Sequence, residues 1–194
     1  MFIVYAVVLG VVAGLLLGGR MDGLSTIRFR WPWVAIGGLL AQIVLFSGAV
    51  DGAIGGWGPV LYIASTAAVL VAVLRNVATP GLAVVAVGAI SNLAAILANG
   101  GYMPADAGAL AAAGGAESSS YSNSVVADSV ALWPLTDIFA IPQPVPLANV
   151  FSIGDVLIGI GVSLTIVLAM RRPTTPQAPA ADRSATVRAG NSPD

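Results

Sequence analysis

The stretch FSIGDVLIGIGVSLTIVLAM, residues 151–170, carries one charged side chain, Asp155, in twenty positions and is stopped by Arg171-Arg172. Wound as an α-helix at about 1.5 Å per residue, it measures about 30 Å, the thickness of a bilayer's hydrocarbon core. A surface helix of a soluble protein carries a polar stripe along its length. Here the polar groups are few: Ser152, Asp155, Ser163 and Thr165.

Working outward, the same signature recurs at residues 2–19, 31–50, 59–74 and 81–98. Each run ends on residues that stop a helix or anchor it at a membrane surface. Gly19-Arg20 follows the first, and Trp31-Pro32-Trp33 opens the second, with Pro32 suited to a first helical turn and the tryptophans to an interfacial belt. Arg75 closes the third and Asn99-Gly100-Gly101 the fourth. Of the 194 residues, 57% are hydrophobic and 9% charged, where a soluble domain has roughly a quarter charged. The expected fold is all-α: a polytopic transmembrane helix bundle of five spans within residues 1–170. One long outer loop, 99–149, and a polar tail, 171–194, read as disordered, complete it. No charge precedes the first run, so it reads as an uncleaved helix rather than a secretory signal.

Orientation follows from the arginines. Arg20, Arg28, Arg30, Arg75, Arg171, Arg172, Arg183 and Arg188 are all the basic residues, and five spans put every one on the same side. Positive charge in short loops stays in the cytoplasm, so the N-terminus is expected outside and the C-terminus inside. The outer side then holds Asp51, Asp106, Glu117, Asp128 and Asp137, with Asp155 at its border.

Absences narrow the chemistry. The chain has no Cys, His or Lys, hence no thiolate, no imidazole base and no zinc site of the usual kind. No basic patch suits nucleic acid. No catalytic motif, metal site or cofactor is expected.

Candidate binding residues are the polar groups near the outer ends of the helices. Gly88, Asn92 and Asn99 share a helical face, and an Asn within a bilayer must find a partner. Gln42 on the second run is the expected partner, or a second wall of a polar cavity. Ser152-Ile153-Gly154-Asp155 reads as a capping box. Alternatively, Asp155 meets Asp137 and Asn99 at a cavity mouth. In Asn99-Gly100-Gly101-Tyr102-Met103-Pro104, the glycines read as a left-handed cap or as a close approach to a ligand, with Asn99 and Tyr102 beside it. Residues 130–150, broken by Pro134, Pro142, Pro144 and Pro146, are expected to lie over the bundle as a plug or lid, with Asp137 as their acid. Gly10, Gly14 and Gly18 form a stripe suited to close helix packing or to a homodimer face.

On these stretches the chain resembles a family of uncharacterised bacterial membrane proteins, domain of unknown function family 5317. The resemblance runs from the opening Gly-rich helix through Asn99-Gly100-Gly101-Tyr102-Met103-Pro104 and Asp137-Ile138-Phe139 to Asn149-Val150-Phe151-Ser152-Ile153-Gly154-Asp155-Val156. It implies a bacterial plasma-membrane location and brings no activity, substrate or cofactor. The expected role is a binding or accessory membrane protein. Its site, facing outward under the 130–150 segment, comprises Gln42, Asn92, Asn99, Tyr102, Asp137 and Asp155 and takes a lipid, a small apolar ligand or a partner's helix. The alternatives are a small transporter or channel, and an outward-facing enzyme on lipid-linked substrates that relies on Asp106, Asp137 and Asp155.

Overall fold

The computed structural model describes residues 2–47, 51–115, 124–125 and 129–172. Among them are seven α-helices: α1 Phe2–Leu16, α2 Pro32–Phe46, α3 Asp51–Ile54, α4 Gly58–Arg75, α5 Leu82–Ala98, α6 Ala107–Ala112 and α7 Ile153–Met170. The protein is mostly helical. Two helical stretches are long and apolar enough to cross a membrane, the continuous Gly55–Arg75 and α7; α1, α2 and α5 are apolar and shorter. Arg183, Arg188 and the expected disorder of the tail lie outside the described residues.

Local chemistry explains the helix ends. α1 stops at Leu16, short of the expected 19, because Gly18 turns left-handed at φ +77°. The Gly19 N–H then bonds the Gly14 carbonyl and the Gly18 N–H that of Leu15, a Schellman closure. α5 closes in the same way, Gly101 N–H to Ile96 and Gly100 N–H to Leu97. α2 ends at Phe46 rather than 50, where the Ser47 hydroxyl donates back to the Val44 carbonyl. The third expected run proves longer than its apolar core, since a 3₁₀ turn at Gly55–Trp57 leads directly into α4.

The five long helices pack in the order α2, α4, α5, α7, α1. Side-chain pairs fix their directions. Gln42 of α2 donates to Thr66 of α4 at 3.1 Å, and Phe46 meets Tyr62 edge-on at 4.9 Å, so these two helices are antiparallel. Val73 clusters with Leu82 and Val85, and Tyr62 with Ala95 and Ile96, which makes α4 and α5 antiparallel. The α5 and α7 backbones cross where Gly88 lies on Gly154 and Gly81 on Gly161, again antiparallel. α1 runs parallel to α7: Gly10 packs on Ser163 and Gly14 on Met170, and the Ser163 hydroxyl donates to the Ala6 carbonyl at 2.7 Å. The packing reading of the α1 stripe therefore has its partner within the chain. A homodimer face would find Gly10 and Gly14 already covered.

Two ends result. At one, the basic end, the Arg20 N–H donates to the Met170 carbonyl and Arg30 is bonded to Asn76, so all six described arginines gather around the same helix termini. At the other, the described residues of the stretch 99–152 form a cap. Its strands are short: β1 Met103–Pro104 pairs in parallel with β2 Ser124–Val125, and β3 Phe139–Ile141 pairs antiparallel with β4 Asn149–Phe151. Ala105, Ala109 and Val150 make a small core under α6. The cap grips α1 through Phe2 stacked on Phe151 at 4.6 Å, Phe151 stacked on Phe139 at 5.5 Å, and the Tyr5 hydroxyl donating to the Pro146 carbonyl. As expected from its prolines, residues 130–150 cover the helix ends without forming a long helix.

Candidate functional site

Two structures at the capped end use the expected site residues. The first is a closed ring of hydrogen bonds between α5 and the start of α7. The Asn92 Nδ2 donates to Asp155 Oδ1 at 2.8 Å, and the Ser152 N–H to Asp155 Oδ2 at 3.1 Å. The Asp155 N–H returns to Ser152 Oγ at 3.0 Å, and that hydroxyl donates to Asn92 Oδ1 at 2.8 Å. Each of the three residues both donates and accepts within the ring. Ser152 is fully buried, so its hydroxyl would otherwise be costly. The capping box is present as read from Ser152 to Asp155, and Asn92 is locked onto it.

Gln42 is therefore not the partner of Asn92. It sits on α2, with α4 between that helix and α5, and bonds Thr66 instead. Both oxygens of Asp155 accept within the ring, and Asp155 is not among the residues that line the pocket beside Asn99. Asp137 is buried in the cap, where its N–H donates to the Pro104 carbonyl at 2.9 Å and its carbonyl accepts from the Asp106 N–H at 3.0 Å. Asp106 caps α6 by accepting from the Ala109 N–H at 2.9 Å. Of the three acids of the enzymatic alternative, Asp155 closes the ring and Asp106 caps α6, with Asp137 held beside Asp106 through the backbone. Among the described residues no group of three acids gathers in a way that suits a metal.

The second structure is a pocket of about 450 Å³ lined by Ala98, Asn99, Tyr102, Pro104, Ser129, Val130 and Ala131. Asn99 builds its wall. Its Nδ2 donates to the Ala95 carbonyl at 2.8 Å and to the Ala131 carbonyl at 2.9 Å, while its Oδ1 accepts from the Ala131 N–H at 2.9 Å. One amide therefore clamps both backbone groups of a residue 32 positions away. Gly101, at φ +91°, brings the backbone onto Pro59 of α4 with no room for a Cβ. The Gly-Gly pair thus serves a helix cap and a backbone crossing, and Tyr102 is carried to the pocket rim immediately after it.

Asn76 repeats the Asn99 device at the basic end. Its Nδ2 donates to the Ala72 and Arg30 carbonyls at 2.7 Å each, and its Oδ1 accepts from the Arg30 N–H at 2.6 Å. Both residues are helix C-caps, and both bond the carbonyl four residues back plus both backbone groups of one distant loop residue. Sequence reading singled out Asn99 and passed over Asn76. Its signal was the same, an Asn at the end of an apolar run. Ser129, Val130 and Ala131 were missed as pocket wall, and nothing in their local sequence marks them.

The class defined by this fold and site is an apolar helical bundle with one basic end and one capped end that holds a polar-rimmed pocket. A family model described as a family of unknown function (DUF5317) matches residues 26–167, and the chain belongs to that family. The match begins after α1, so the opening helix of the resemblance lies outside it. No curated protein and no solved structure matches the chain.

Proposed function

We propose that the protein crosses a bacterial plasma membrane five times, N-terminus outside and C-terminus in the cytoplasm, and binds a lipid or small apolar ligand in the outer pocket. Supporting the membrane reading is the outward face of the bundle. Leu9, Leu16, Leu40, Ile43, Val60, Val87, Leu97 and Ile160 are all at least half exposed, a surface that water tolerates poorly over so many helices. Supporting the five-span count is the alternation of α1, α2, α4, α5 and α7. The exposed tryptophans also sort to the ends, Trp31 and Trp33 at the basic one, Trp57 and Trp133 at the capped one.

Labelling tests the orientation, and the absence of cysteine makes it simple. A membrane-impermeant maleimide added to intact cells is expected to label a Ser129→Cys variant and to spare Ser25→Cys until the cells are opened. The reverse pattern would invert the topology.

The observation that carries the binding role is the pocket. Its size suits a ligand of ordinary dimensions, and its walls are mostly apolar with polar groups from Asn99, Tyr102 and Ser129 at the edge. Native mass spectra of the protein released from nanodiscs should show one bound molecule. Ala98→Phe, which fills the pocket from the last turn of α5, should lose it. A bare mass for the parent protein, or an adduct that survives Ala98→Phe, would sink the binding role. Asp155→Asn should retain the adduct, because Asp155 is engaged in the ring and does not line the pocket.

A further inference from the structure

At the basic end, Asn76 fixes the backbone of Arg30 against the end of α4, so the dipeptides Arg30-Trp31 and Arg75-Asn76 are held side by side. The Arg75 guanidinium lies over the Trp31 ring, 5.8 Å from its centroid. Trp31 holds that position with a left-handed backbone, φ +59°, a conformation that a bulky residue rarely adopts. Stacking occupies the face of a guanidinium and leaves its in-plane N–H groups pointing outward, the geometry that meets a phosphate bidentately. Arg28, Arg30 and Arg75 are all exposed. Among the described residues the one salt bridge is Arg20 to Asp22 at 3.3 Å, so none of these three has an acid partner there. Trp31 and Trp33, 53% and 79% exposed, flank the charges with rings suited to the headgroup layer.

We infer that Arg30, Arg75 and Trp31 form a seat for the phosphate of an anionic phospholipid in the inner leaflet. The seat rests on the membrane reading above, which sets this end at headgroup depth. A lipid supplies both halves of what the residues offer: a phosphate for the guanidinium edges and acyl chains along the exposed apolar faces of α2 and α4. Leu39, Ile43, Val71 and Leu74 are exposed on those faces. Free phosphate shares only the first half.

The test places the full-length protein in nanodiscs of equal parts phosphatidylglycerol and phosphatidylcholine and counts the lipids retained by native mass spectrometry. Phosphatidylglycerol should be retained preferentially. The preference should fall by about fivefold for each arginine removed in R30Q and R75Q, as expected for about 1 kcal/mol per basic residue at an anionic surface. R171Q/R172Q removes the same charge from the same end without touching the seat, and should leave the preference nearly intact. An equal fall in R30Q/R75Q and in R171Q/R172Q would mean diffuse surface charge and would overturn the seat, as would equal retention of the two lipids. Displacement of the lipid by millimolar inorganic phosphate would identify a free-anion site instead. A protein that fails to enter nanodiscs at all would overturn the membrane reading and the seat with it, an outcome distinct from entry without lipid preference.

Discussion

Gly154→Ala is expected to lower the melting temperature of the purified protein by about 10 °C, while Gly37→Ala leaves it unchanged or slightly higher. A Cβ at Gly154 would run into the Asn92 side-chain oxygen and lie 2.8 Å from the Gly88 carbonyl oxygen. The opposing Gly88 faces the Gly154 carbonyl and, at 2.9 Å, the Ile158 N. The methyl meets the Asn92 amide, which the hydrogen-bond ring holds in place, and the Gly88 backbone oxygen, which cannot swing aside, so the ring must open and the helices must separate. Overpacking of this kind costs about 3 kcal/mol, and in a chain of this size each kcal/mol is roughly 2–4 °C. Gly37 is the matched control. It also lies inside a helix, yet nothing stands within 4 Å of its Cβ position, so Ala there only improves helix propensity. Thermal scans by fluorescence-detected size exclusion would measure both. Equal behaviour of the two variants would mean that α5 and α7 do not cross at Gly88 and Gly154.

The second large effect belongs to the ring itself. Asp155→Ala removes the acceptor of both Asn92 Nδ2 and the Ser152 N–H, and is expected to cost about 2–3 kcal/mol. Asn92→Ala should cost about 1–2 kcal/mol, because it strips one bond from Asp155 and leaves the Ser152 hydroxyl without its acceptor. Once one member is gone, the other has less to lose. The double variant should therefore fall short of the sum by about 1 kcal/mol, measured from denaturation midpoints. Strict additivity would show that Asn92 and Asp155 do not act as a unit. Asp155→Asn keeps one acceptor oxygen and should sit between the parent and the alanine variant.

The helices and their stops were readable because each signal is local: an apolar run, then Arg, Gly-Gly or Pro. The capping box was readable for the same reason, with Ser152 and Asp155 one turn apart. What failed was neighbourhood. Helical periodicity puts Asn92 on a face with Gly88 but does not say which helix that face meets. The pattern alone points to Gln42 as its partner, yet α4 lies between their helices. The capping box includes Gly154 without giving it a neighbour, and its closeness to Gly88 depends on a crossing between residues 66 positions apart in the chain. The strands of the cap, two or three residues each, are too short to show alternation. Asn99 and Tyr102 were found at the pocket, yet Asn99 proves to be the clamp that builds its wall, since the Ala131 backbone it holds has no signature.

Of the described long helices, α1 precedes the others in the chain, and the helix it packs against, α7, follows them. Ala6 and Ser163, which share a hydrogen bond, are 157 positions apart. At about 5–20 residues per second a ribosome needs roughly 8–30 s to cover that distance. Meanwhile α4 can dock on α2, and α5 on α4, each onto a neighbour made shortly before. The opening helix must wait, its Gly10 and Gly14 groove unfilled, until α7 arrives to occupy it. Biogenesis therefore passes through a four-helix stage with a vacant berth, during which α1 is the element most exposed to wrong partners or to a chaperone that shields it. The arrival of α7, rather than the making of α1 itself, sets the moment when α1 becomes part of the fold.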